Sequence, residues 1–191
     1  MKKTLIATGA AAVALAAMPA LGAFADVTDT VVLTINTACS VGQSSATGGG
    51  GKTIEQTAVN NQKYTWDADG TQGGTIKITC NDADGWQVKA VGSSTGTPVT
   101  SMVGTNGGTS IATGTAESGA TSNWMFKVAG TGAVSDYTSW AAIPATAAVV
   151  AQGSGAISEG SINTGYQVWV SATQEAGTYT GRVTYTANPA P

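Results

Sequence analysis

Few residues in this chain are of types that do chemistry, and their spacing limits what each can do. Cys39 and Cys80 are its only cysteines, and each lies at the end of an alternating apolar run, so in an oxidising compartment they read as one disulfide between two strands. Asp67-Ala-Asp69-Gly70 and Asn81-Asp82-Ala-Asp84-Gly85 set oxygen ligands at alternate positions before a glycine, as calcium loops do. Neither continues to the bidentate glutamate of an EF-hand loop, and Asx-Gly pairs are ordinary turn chemistry. The reading is therefore two turns, with Asp67, Asp69, Asp82 and Asp84 as the alternative calcium candidates. Gly51-Lys52-Thr53 behind a glycine run imitates a phosphate-binding loop, but the required first glycine is Ala46 and no helix is predicted to follow. Of five tryptophans, Trp86 and Trp124 fall on the apolar phase of their strands and belong to the core. Trp66, Trp140 and Trp169 form the one candidate platform for stacking a glycan, packing or a subunit interface being the plainer use.

Missing residue types exclude more. The chain has no histidine, and Arg182 is its one arginine, so Ser-His-Asp sets, histidine metal sites and bidentate arginine clamps are out. A two-carboxylate glycosidase fits the composition, but no spacing favours one. The expectation is a protein without enzymatic activity or cofactor.

The compartment follows from the N-terminus. Lys2 and Lys3 precede an alanine-rich apolar run, Leu5 to Leu21, which ends in the small-x-small cleavage site Ala23-Phe24-Ala25. Residues 1–25 are read as a signal peptide, in preference to a short membrane anchor, and the mature chain as secreted with no integral membrane segment. Cleavage leaves six basic residues against eleven acidic ones, a net charge of −5. Nucleic acid is not an expected partner, because its phosphates reward clustered Lys and Arg. The remaining 166 residues suffice for one domain with one core.

Those residues must be positioned by strands. Apolar side chains recur at every second position in short runs: Val31, Leu33 and Ile35; Ile76, Ile78 and Cys80; Trp86, Val88 and Ala90; Trp124, Phe126 and Val128; Tyr166, Val168, Val170 and Ala172; and Tyr179, Gly181, Val183 and Tyr185. Gly, Asn, Asp, Ser and Thr separate them, and residues 42–53, 104–122 and 138–161 read as irregular surface segments. Ala141 to Val150 is the one helix-like stretch, and Pro144 in its middle argues against a helix. Several short antiparallel strands predict an all-β, two-sheet sandwich with an N-terminal strand at 26–38 and a domain body at 39–191. A Cys39–Cys80 bridge would add roughly 3 to 4 kcal/mol by restricting the unfolded chain.

Val-x-Leu-x-Ile, then Thr37-Ala-Cys39-Ser-Val41-Gly, then Gly-x-Ile-x-Ile-Thr-Cys80 and Gly85-Trp-Gln-Val-Lys-Ala together resemble the spore coat protein U family, which includes archaic chaperone-usher pilins. The segment Ala176-Gly-Thr-Tyr179-Thr-Gly-Arg-Val183-Thr-Tyr185 is similar to that family's last strand, and the two regions cover under half of the mature chain. The resemblance implies an immunoglobulin-like sandwich lacking one strand, which the N-terminal segment of a second subunit supplies, and a fimbrial, adhesive cell-surface role through self-association or other surface subunits. Residues 26–36 suit such a donor, with Val31, Leu33 and Ile35 as its plugs; the same residues suit the domain's own first strand equally well. The family's last strand runs to the chain end, whereas here Thr-Ala-Asn-Pro-Ala-Pro191 follows Tyr185, an ending that looks a little like the WxL cell-wall-binding domains without their Trp-x-Leu signature. The alternative function is a monomeric module binding cell-wall or host-surface glycans.

Overall fold

Period-two alternation produces strands along most of the chain, and the computed structural model describes residues 37–43, 54–94, 97–98, 100–104 and 109–191. The first strands are β1 (Cys39–Gln43), β2 (Gln62–Trp66), β3 (Gly74–Cys80) and β4 (Trp86–Ser94). Three two-residue strands, β5 (Thr97–Pro98), β6 (Val103–Gly104) and β7 (Ala112–Thr113), precede β8 (Asn123–Gly130). A 3-10 turn at Ser135–Tyr137, β9 (Ala148–Gly153), β10 (Ile157–Val170), β11 (Tyr179–Thr180) and β12 (Arg182–Pro189) follow.

The larger sheet has the order β1-β3-β10-β8-β7, with β2 also on β10. β10 runs for 14 residues, long enough to pair with β3 through its first half and with β2 through its second. β8 takes its other edge, from Ile162↔Gly130 to Trp169↔Asn123. Between β2 and β3 the chain crosses over Gly165, where a Cβ would stand 2.6 Å from the Ala68 nitrogen, so glycine is required there. In the smaller sheet β4 is central, with β12 along one edge and β9 and β5 on the other. The two sheets make a curled, sandwich-like all-β fold.

The core lies between their inner faces. Ile78, Val88, Ala90, Phe126, Val128, Val150 and Ile162 are wholly buried there, each on the inward phase of its strand. Trp86 and Trp124 join them, as their phase predicted, and Trp124 donates its indole N–H to the Thr100 carbonyl at 2.6 Å. Tyr166 of β10 and Tyr185 of β12 join the sheets through their hydroxyls, 3.1 Å apart. Burial pushes both phenols above the ordinary tyrosine range, so the pair stays neutral and hydrogen-bonded.

Structure and sequence differ at several places: Gly42 and Gln43, expected in an irregular segment, belong to β1, and the run Tyr179 to Tyr185 divides into β11, paired with β6, and β12, paired with β4. Residues 138–161, expected to be irregular, contain β9 and the first five residues of β10. The alternation is hidden because β10 shifts register between Ile157 and Gly160, which breaks the period of two. Residues 104–122 contain β7 and the buried Ile111. β2 carries only Tyr64 and Trp66 on its apolar phase and gave no clear signal. Over 141–150 no helix forms: the Pro144 carbonyl accepts the Gly92 N–H at 3.0 Å and β9 begins at Ala148.

Burial separates the strands into a closed and a less closed side. Ile78 is wholly buried, whereas Val183, on the core-facing phase of β12, is only half-buried. Ile78→Ala is expected to cost about 2–5 kcal/mol and Val183→Ala below about 1 kcal/mol, read from urea unfolding.

Candidate functional site: an open strand edge

Among the described residues the six-stranded and four-stranded sheets each end on a strand bonded along one side. Among the described residues β1 pairs with β3 alone and β12 with β4 alone. These two edges lie alongside each other without pairing. Their inward side chains, Cys39 and Val41 on β1 and Val183, Tyr185 and Ala187 on β12, keep part of their surface exposed, and none on β12 is fully buried. Unpaired N–H and C=O groups beside half-covered apolar side chains are what an added strand satisfies.

The disulfide secures one end of this side. Cys39 and Cys80 form the first register pair of β1 on β3, and their sulfurs are bonded. The ladder continues one step outward, where the Asn81 N–H meets the Ala38 carbonyl at 3.1 Å and the Asn81 side chain accepts the Ala38 N–H at 2.6 Å. The C-terminal end of β12 is at the same pole, since Pro189 registers with Trp86 and Ala190 donates to the Gly85 carbonyl. Val31, Leu33 and Ile35, the candidate donor residues, lie outside the described residues.

The tryptophan set divides. Trp66 lies on the inward phase of β2, opposite Tyr166, and packs on the core, so it is not part of a surface platform. Trp169 takes the outward phase of β10 and donates its indole N–H to the Gly119 carbonyl at 3.1 Å. Trp140 covers the same outer face, because Lys127 of β8 holds its ammonium 4.7 Å from the centre of the Trp140 ring. Lys127 is bonded in turn to Asp67 at 2.6 Å, and near Trp169 Lys63 pairs with Glu117 at 2.9 Å. Between these pairs Met125 and Gln167 are buried although they face outward. Trp140 and Trp169 thus lie on one outer face with Met125 and Gln167, and one face of Trp140 is occupied by Lys127. Sequence reading missed Lys63, Glu117 and Lys127, because isolated charges carry no periodic signal, and it missed Val41, Val183 and Tyr185 as an edge, because pairing partners are not written in a strand.

The acidic turns use their oxygens locally. Asp67 binds Lys127 and the Ala68 N–H, Asp69 accepts from the Thr71 and Gln72 N–H groups, and Asp82 accepts from the Asp84 N–H at 2.9 Å. Among the described residues no group of three acidic, histidine or cysteine side chains converges as metal ligands. Lys52 and its glycine run lie outside the described residues. No family model, curated protein or solved structure matches the chain.

The hydrogen bond from Lys127 holds the Asp67 carboxyl below the usual aspartate range, and Lys63 does the same for Glu117. A depressed folded value means that the contribution is present above the unfolded carboxylate pKa of roughly 4 and is lost as pH falls through the folded value. Asp67→Asn should therefore destabilise by less than about 1 kcal/mol at pH 7, with the gap narrowing as pH falls below the ordinary aspartate range in thermal unfolding across pH.

Proposed function

We propose that this chain is a secreted structural subunit of a fimbrium-like surface filament, assembled by strand donation and serving adhesion or biofilm formation. In this reading the domain is an immunoglobulin-like sandwich lacking one strand, and residues 26–36 of a second copy, with Val31, Leu33 and Ile35 inward, pair with the β12 edge and complete the side shared with β1. One observation carries the reading: the core-facing side chains of β12 remain half-covered beside a strand edge with no partner among the described residues. Head-to-tail completion of this kind makes open filaments rather than closed rings. The net charge and the residue inventory, without histidine and with one arginine, agree with a structural rather than a catalytic role.

Comparing residues 26–191 with 37–191, produced in an oxidising compartment, on a sizing column and on unboiled denaturing gels tests it. The expected result is a ladder from the longer chain that disappears in the shorter one, with the shorter chain stabilised by a peptide of residues 26–36. A stable monomer from the longer chain, with the shorter one unfolded, would make the segment an ordinary first strand.

The glycan-binding reading keeps one supporting observation, that Trp140 and Trp169 share a face. On that reading, titration with soluble cell-wall glycans changes indole emission and Trp169→Ala abolishes the change. Emission that does not respond to the glycans argues for packing alone.

A further inference from the structure

Whatever pulls on the N-terminal segment pulls on β1. This strand has five residues, pairs among the described residues with β3 alone, and turns Cys39 and Val41 toward the core, both half-buried, while Ser40 and Gly42 face solvent. By itself it is a poor anchor. β3 is the opposite: it is bonded on both edges, to β1 and to β10, and Ile76, Ile78 and Cys80 are buried.

The disulfide joins these two strands at their first register pair, the point where the chain enters from residue 38. We propose that the Cys39–Cys80 bond is a load-transfer junction: tension arriving along the N-terminal segment bypasses the β1 ladder and passes directly into β3. The direction of the strands gives this its effect. β10 runs antiparallel to β3 and leaves the opposite pole at Val170, so with β3 pulled at its C-terminal end and a second attachment beyond Val170 the two are loaded in shear along the ladder from Cys80↔Ile157 to Gly74↔Thr164. In shear the hydrogen bonds of a ladder share the load instead of opening one after another. Without the bond the load falls on the short β1 ladder, which has five residues and gives way first. The filament reading supplies the source of such tension, and the junction rests on it for its use; the mechanics belong to a single subunit.

A single-molecule pull on the folded, oxidised mature chain separates the two ideas. One handle is placed at the N-terminus of residues 26–191, and a second, joined by azide–alkyne coupling, replaces the exposed Ala176 in the turn at the opposite pole. Molecules are stretched before and after reduction with a phosphine, and uptake of two thiol labels verifies the reduction. After reduction the expected record has an early low-force step that releases β1, with a lengthening between roughly 15 Å for β1 alone and roughly 80 Å for the chain up to Gln62, at about 3.3–3.6 Å per residue. Before reduction that step is absent and the first event comes at higher force. Cys39→Ala/Cys80→Ala should reproduce the reduced record if it folds, and the reduction arm decides the matter if it does not. First events of equal force and length in both redox states would overturn the junction. A chain that never polymerises but shows the redox-dependent step would retain the junction and remove the filament.

Discussion

The 14-residue strand β10 is the constraint on which the rest of the fold depends. A strand of that length has more hydrogen-bonding edge than one neighbour fills, so β3 and β2 share one edge in series while β8 takes the other. Sharing an edge forces the chain between β2 and β3 to rise over β10 at Gly165, and this places Asp67 beside Lys127 and brings Trp140 into the outer cluster. The inward phase of the same strand supplies Ile162, Val168 and Val170 to the core and the Tyr166 hydroxyl to the contact with Tyr185. One register therefore determines both the interior and the outer face.

The sandwich closes unevenly about that strand. On the side of β8 and β4 the apolar phases are wholly buried, and on the side of β1 and β12 they are not. Among the described residues β12 has no neighbour on its outer edge, and its core-facing side chains stay half-buried. The disulfide stands at the pole of this side, between an edge strand with little burial of its own and the interior strand that holds it. Cys80 belongs to the buried core and Cys39 packs against it, so the cross-link ties the edge strand to the interior.

The outer face shows how a composition can mislead. Five tryptophans in a small domain suggest an aromatic binding surface, yet Trp66, Trp86 and Trp124 turn inward, Trp169 spends its indole N–H on the Gly119 carbonyl, and Trp140 lies against the Lys127 ammonium. Large amphipathic rings serve well as covers, because the ring excludes water while the N–H finds an acceptor. The two acidic turns have the same logic: their carboxylates stabilise backbone N–H groups and a nearby ammonium.

The sequence by itself determined the all-β class, the inward phases of β3, β4, β8 and the second half of β10, the core placement of Trp86 and Trp124, and the pairing of the only two cysteines. These follow from a period of two and from residue inventory, both local properties of the chain. Only the tertiary structure decided that β10 extends back to Ile157, that Trp66 faces inward while Trp140 and Trp169 share a face, and that β1 and β12 are edges. A bulge erases the period where β10 begins, and which strand lies beside which is a relation between distant segments. No alternation within one segment can encode it.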